Sequence, residues 1–207
     1  MEKTKQNNVG FINQVTAIGR IGRGSGGGIL YLVTKKAQKV QIVKLKCAST
    51  ALAGFSEGDY IEVTGHIGSF RKRVSPKEYS FRQVIMADKI VKAKTLIEDT
   101  FGEEVKGKFG PEMMLKLALS GKVTYLKNDG DWVRAGVNTS SVKGKSNSVI
   151  LSIPKKIVSK DMPVIGDNVM AVAAIDCKSR NYTTGELAGS RRHYQDIIVS
   201  DFAKRRA

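Results

Sequence analysis

Aromatic and cationic side chains recur in this sequence at spacings that turn them to one face. Leu30 and Leu32 are the inward members of an apolar run, which turns Tyr31 outward. In the next run Val43, Leu45 and Cys47 point inward and Lys44 and Lys46 outward. Later, inward Val133, Ala135 and Val137 leave Trp132 and Arg134 outward. Tyr31 follows Gly19 by 12 residues and Trp132 follows Gly121 by 11, so the spacing predicts two outward aromatics at matching places. An aromatic face stacks on any nucleobase, for about 1–3 kcal/mol per base. An ammonium or guanidinium beside it pairs with phosphate.

Two basic runs extend this chemistry. Residues 68–80 carry Arg71, Lys72, Arg73 and Lys77 against Glu78, with Phe70 and Tyr79 beside them. Residues 178–192 carry Lys178, Arg180, Arg191 and Arg192 against Glu186, with Tyr182 nearby. Each run reads as a long loop suited to folding over a strand of nucleic acid. Phosphate contacts of that kind supply salt-sensitive, sequence-independent affinity.

Other chemistries are poorly supported. The run GRGSGGG at 22–28 lacks the Gly-Lys-Ser/Thr ending of a nucleotide-binding loop. Gly144-Lys145-Ser146 has that ending, but Thr139 stands where the motif needs its first glycine. Cys47, Cys177, His66 and His193 do not make a zinc spacing, and no metal or cofactor is expected. Asp88 and Asp201 read as matching strand ends, and no run gathers several acids for metal-dependent cleavage. The expectation is a binding protein and not an enzyme.

The elements that must position these groups are short strands. The chain has 207 residues, 41% hydrophobic and 26% charged, a globular composition with a net charge of +16. Such an excess points to a polyanionic partner. No apolar run approaches the ~20 residues that span a bilayer, so no membrane partner is expected. The N-terminal residues lack a signal-peptide core and the two cysteines are far apart, which fits a reduced, cytoplasmic setting. Period-two alternation predicts strands over 14–21, 29–34, 40–47, 60–67 and 81–88, with one or two helical turns over 48–55. The pattern resumes with strands over 115–126, 132–137, 148–153, 168–177 and 193–202. A tight turn is expected at 127–130 and a helix over 154–162. Gly58-Asp59 and Gly166-Asp167 open the fourth strand of each set. Five strands with a helix between the third and fourth is the order of an OB-fold barrel, and closure removes the exposed edges of an open sheet. The fold class is therefore all-β: two tandem OB-fold barrels with a short helix in each. The domains fall at 1–94 and 115–207, joined by a linker over 95–114 that carries a short helix around 95–101.

The segments NQVTAIGRIG at 13–22, GDYIEVTGHIGSFRKR at 58–73 and YSFRQVIMADKI at 79–90 resemble the bacterial single-stranded DNA-binding protein family. They look like its opening strand, its fourth strand with the long hairpin, and its closing strand. The resemblance covers most of the first half of the chain and extends faintly to the second. It implies a non-enzymatic protector of single-stranded DNA in replication, recombination or repair. It also implies several OB-folds working together, often four, which a tandem chain reaches as a homodimer. On the matching positions Tyr31, Lys44, Lys46, Phe70, Arg71 and Arg73 fall on the DNA track. Cellular members end in a flexible acidic tail that recruits partners, whereas this chain ends SDFAKRRA, which is basic. A phage or plasmid version fits that ending better, and contacts with replication or recombination proteins would need another surface. The first loop is also shorter and richer in glycine than the family's. Two alternatives stand beside this reading. One is an RNA-binding OB-fold protein, since nothing here reports on a 2′-hydroxyl. The other is a protein-interaction accessory factor of a replication or recombination complex, with weak DNA binding indifferent to Tyr31 and Trp132.

Overall fold

The computed structural model describes residues 10–36, 39–73, 79–93, 113–140, 146–181, 189 and 191–205, and at 36, 71–73, 79–82, 178–181 and 191–194 the backbone alone. The first five strands are β1 (Asn13–Ile21), β2 (Ile29–Lys36), β3 (Lys39–Lys46), β4 (Tyr60–Arg73) and β5 (Tyr79–Lys92). The second five are β6 (Met114–Asp129), β7 (Trp132–Asn138), β8 (Ser148–Pro154), β9 (Asn168–Asn181) and β10 (Arg191–Lys204). A single short helix, α1 (Lys155–Val158), precedes β9 among the described residues. Strand β1 pairs with β2 and β4, β2 with β3, β3 with β5 in parallel and β5 with β4, which closes a five-stranded barrel. Strands β6 to β10 close a second barrel in the same order. Both are OB-folds. The inward residues of the alternating strands are fully buried, among them Leu30, Leu45, Ile61 and Ile85 in the first barrel and Leu117, Leu151, Ile175 and Ile197 in the second.

The alternation sets the faces as expected, but several boundaries move. Residues 48–55 form successive turns, with Ala51 N bonded to Ala48 O and Ala53 N to Thr50 O at 3.0 Å, and not a helix. A helix in each barrel is thus corrected to one helix, in the second, and that one is shorter than 154–162. The tight turn falls at Gly130-Asp131, since β6 runs on to Asp129, which pairs with Trp132. The two basic runs are not plain loops: β4 continues to Arg73 and β5 starts at Tyr79, and β9 continues to Asn181 and β10 starts at Arg191. Each barrel therefore carries a long hairpin arm. The expected linker helix at 95–101 lies outside the described residues.

The two barrels repeat one another bond for bond at their turns. Gly58 N bonds Ile21 O and Gly166 N bonds Val123 O, both at 2.8 Å. Asp59 Oδ2 accepts from Ser56 N and Asp167 Oδ2 from Val164 N, both at 2.9 Å. The Val164 amide, with the Lys204 ammonium, holds the Asp167 carboxyl below the usual carboxylate range. Gly19 and Gly121 also correspond. Each sits where the first strand of its barrel passes to the second, and a Cβ there would run into the carbonyl of Val33 or Asn138. Both strand pairs that close the arms skip one residue, Asp88 in one and Ser200 in the other. Asp88 thus corresponds to Ser200, and the expected match with Asp201 is one residue out.

These equivalences expose a local two-fold axis. Strands β1 and β6 pair antiparallel from Asn13↔Leu119 to Ile18↔Met114, which makes one ten-stranded sheet of the two barrels. The pairs Asn13↔Leu119 and Ala17↔Leu115 exchange under the equivalence, and Val15↔Leu117 maps onto itself. The contact has the self-complementary form of an isologous dimer interface, here within one chain.

Four side-chain amides extend that symmetry beyond the β1–β6 seam. Gln41 on β3 donates to Ile175 O at 3.0 Å and accepts from Cys177 N at 3.2 Å on β9. Its counterpart Asn147 donates to Ile67 O at 2.8 Å and accepts from Ser69 N at 2.9 Å on β4. Gln83 on β5 donates to Ile150 O at 3.3 Å and accepts from Ile150 N at 2.6 Å. Its counterpart Gln195 donates to Lys44 O at 2.9 Å. An amide offers a donor and an acceptor at about the spacing of a peptide group, so each of the first three continues a strand ladder across the barrel boundary. A buried peptide group left without such a partner costs about 1–3 kcal/mol. Gln41→Leu, at a site only 8% exposed, is therefore expected to lower the unfolding free energy by about 2–4 kcal/mol. Gln195→Leu, with one exposed bond, should cost under about 1 kcal/mol. Urea unfolding of both variants checks this, and equal costs would count against the Gln41 bridge.

Candidate nucleic-acid interface

On the outer face of the first barrel the antiparallel register sets Tyr31 opposite Lys44, Ile29 opposite Lys46 and Val33 opposite Ile42. The inward neighbours Leu30, Leu32, Val43 and Leu45 are fully buried and anchor both strands. Lys44 Nζ lies 5.8 Å from the centroid of the Tyr31 ring, and Lys46 Nζ lies 5.4 Å from that of Phe70. Both are within the reach of a cation–π contact. Phe70 is 46% exposed and Ile42 52%. Lys44 and Lys46 are exposed, and neither forms an ion pair with a described residue. The face thus joins two aromatic rings, an aliphatic patch and two uncompensated positive charges. That combination suits stacked bases with phosphates alongside. At the end of the same strand, burial pushes the Cys47 thiol up.

The glycine-rich run seats Tyr31. Gly26 and Ile29 exchange hydrogen bonds of 2.8 and 2.9 Å around Gly27 and Gly28, whose φ angles of 55° and 83° suit a tight hairpin turn. Ser25 Oγ accepts from Tyr31 N at 3.0 Å and donates to Gly22 O at 2.7 Å. Gly22 N in turn donates to Tyr31 O at 2.6 Å. The run is a support for the aromatic strand.

The second barrel does not repeat this face. Gly22 and Thr124 hold equivalent places beside β2 and β7, one bonding Tyr31 O through its N–H and the other Gly136 O through Oγ1 at 3.2 Å. The counterpart of Tyr31 is therefore Gly136, and not Trp132. Trp132 stands farther along β7, beside the Gly130-Asp131 turn and opposite Pro154, and is 37% exposed. Counting from glycine to aromatic misled because β6 runs on well past the point where β1 stops. Ile150 and Ser152 replace Lys44 and Lys46. Arg134 is held by its own barrel: Nη1 donates to Ser152 Oγ at 2.9 Å, Nε lies 3.6 Å from Asp129 and Nη1 lies 3.9 Å from Asp196. Its charge is largely offset.

The remaining expected residues lie along the arms. Arg71, Lys72 and Arg73 end β4, Tyr79 starts β5, Lys178 and Arg180 lie in β9, and Arg191 and Arg192 start β10. Lys77 and Tyr182 lie outside the described residues. The amide bridges fix where the arms start. The first barrel's arm leaves beside β8 of the second, through Ser69–Asn147 and Gln83–Ile150. The second barrel's arm leaves beside β3 of the first, through Cys177–Gln41 and Gln195–Lys44. Each outer face is thus flanked by the base of the other barrel's arm. Among the described residues no three His, Cys, Asp or Glu side chains gather as a metal site. No described helix is long and apolar enough to cross a membrane.

Sequence reasoning overlooked Tyr125. Strict alternation from Leu115 through Val123 points residue 125 inward. The register between β6 and β7 instead shifts between Val123 and Tyr125, which turns Tyr125 outward beside Gly136, and the residue is 45% exposed. An extra residue of this kind leaves no mark in hydrophobic periodicity.

These features define a tandem OB-fold chain with unlike outer faces. No protein-family model and no curated protein matches the sequence. Among solved structures, a deletion mutant of the single-stranded DNA-binding protein from Thermus aquaticus is similar over 95% of this chain and 96% of its own, with a TM-score of 0.61 and 13% identity. The wild-type Thermus aquaticus protein is similar over 96% of this chain and 95% of its own, with a TM-score of 0.59 and 15% identity. The likeness is one of fold, and it spans both barrels.

The Ser25 hydroxyl is expected to hold Tyr31 in place. Ser25→Ala should cost about 1–2 kcal/mol and speed hydrogen exchange at the Tyr31 amide. Unchanged exchange at that amide would show that the hydroxyl does not seat the strand.

Proposed function

We propose that this protein binds single-stranded DNA with little sequence preference and protects it during replication, recombination or repair. It does so as a binding protein and not as an enzyme. The observation that carries this reading is the cluster of Tyr31, Lys44, Lys46 and Phe70 on the outer face of the first barrel. The net charge of +16 and the fold shared with the Thermus aquaticus single-stranded DNA-binding protein support it. Bases stack on Tyr31 and Phe70, and Lys44 and Lys46 pair with phosphates. Arg71, Lys72, Arg73, Lys77 and Tyr79 on one arm, and Lys178, Arg180, Tyr182, Arg191 and Arg192 on the other, extend the basic track. The domains are taken as 1–94 and 115–207.

A homodimer is part of the proposal. The outer side of the continuous β4–β1–β6–β9 sheet carries Met170 and Val172, each 44% exposed, beside Ala118 on β6. This small exposed apolar patch is offered to a second copy, which would bring four barrels together.

Fluorescence anisotropy with labelled oligo-dT, oligo-rU and duplex DNA at two salt concentrations tests the function. Oligo-dT should bind much more tightly than duplex and weaken with salt. Tyr31→Ala should weaken oligo-dT binding by about 1–3 kcal/mol. Replacing Lys44 and Lys46 with Ala should flatten the salt slope by roughly 0.7 log units per lost phosphate contact. Preference for oligo-rU would move the assignment to RNA. Weak binding to all three, unaffected by Tyr31→Ala, would favour the accessory-factor reading. Light scattering should give twice the chain mass, and a monomer at micromolar concentration would remove the dimer.

A further inference from the structure

We infer that Tyr125, rather than Trp132, is the stacking platform of the second barrel. The inference rests on the proposed binding of single-stranded nucleic acid and adds a residue to that track. The two barrels correspond strand by strand in their pairing, and the position that holds Tyr31 in the first is Gly136 in the second. Gly136 is buried because its neighbours cover it: a Cβ there would lie 3.0 Å from Tyr125 Cβ and 3.4 Å from Ile150 Cδ1. The neighbouring strand β6 supplies the missing ring. Its bulge between Val123 and Tyr125 brings Tyr125 directly opposite Gly136, with 45% of the residue exposed. The first barrel has the complementary arrangement, with Tyr31 on the second strand and glycines at 22 and 24 beside it. The ring that the second strand supplies in the first barrel is thus supplied by the first strand in the second barrel.

The electrostatics of the two platforms differ. Tyr31 stands beside Lys44, whose charge is not offset by a described acid. Near Tyr125 the Arg134 guanidinium is engaged by Asp129 and Asp196. The exposed Lys127 stands two residues along the same strand, opposite Arg134, but a tyrosine ring carries no charge, so the part of the affinity lost with it is one that salt scarcely changes. Trp132 stands at the end of β7 beside the Gly130-Asp131 turn and opposite Pro154, away from the position equivalent to Tyr31.

The test uses the full chain and labelled oligo-dT long enough to span both barrels. Tyr125→Ala should weaken binding roughly 5- to 150-fold by about the same factor at low and high salt. Tyr125→Phe should restore it, and Trp132→Ala should change it by less than about twofold. A second measurement needs no variant. Oligo-dT carrying iododeoxyuridine, irradiated on the wild-type protein and mapped by peptide mass, should cross-link to the peptide holding Tyr125 and not to that holding Trp132. Cross-links at Trp132 alone would overturn the inference. So would unaffected binding by Tyr125→Ala when Tyr31→Ala weakens it. If neither tyrosine matters, the proposed function falls as well, which separates the two failures.

Discussion

A strand edge with unpaired peptide groups cannot be left inside a folded chain, and this molecule is arranged around that constraint. In each barrel the first strand has one edge served by two partners in turn. β1 pairs with β6 up to Ile18 and with β2 from Arg20, and the handover falls on Gly19. β6 passes from β1 to β7 at Gly121 in the same way. Only a residue without a Cβ lets the incoming carbonyl approach at that point. Because both barrels leave the same stretch of edge open, each completes the other. The two-fold axis through Val15 and Leu117 is the geometric result.

The same constraint explains the amides. Where the barrels meet beyond the seam, the described strands do not pair directly, and Gln41, Gln83, Asn147 and Gln195 reach across. Among the described residues no buried side-chain nitrogen or oxygen is left unsatisfied. These bridges also decide where the basic arms begin. Each arm is anchored at its base beside the other barrel's outer face.

Within this symmetric scaffold the outer faces have diverged. One presents Tyr31 and Phe70 with Lys44 and Lys46, and the other presents Tyr125 beside a glycine with a compensated arginine. Backbone pairing fixes the symmetry, and outward side chains carry no part of that pairing. They are free to change without cost to closure. A tandem chain can therefore present two chemically different surfaces, which a dimer of identical barrels cannot do within a single pair.

Much of the fold was legible in the sequence. Burial alternates at period two, so Leu30, Leu32, Val43, Leu45, Val133 and Ala135 declared their own faces, and with them those of Tyr31, Lys44, Lys46 and Arg134. The Gly-Asp turns and the strand order announced two barrels. The local signals failed where pairing partners set the outcome. The arms read as loops because their runs of charged and polar residues show no hydrophobic alternation. The match of Trp132 to Tyr31 failed because equivalence between barrels depends on register, and register depends on the facing strand. Tyr125 was hidden by a bulge whose extra residue is defined only by what lies opposite. The amides looked like ordinary surface polar residues, since a bond between Gln41 and Ile175 has no footprint in either neighbourhood of the chain. The sequence by itself determined which side of each strand enters a core, because burial is a property of each residue's own side chain. The tertiary structure alone decided which residues stand beside each other on the outside, because that depends on hydrogen-bond partners distant in the chain.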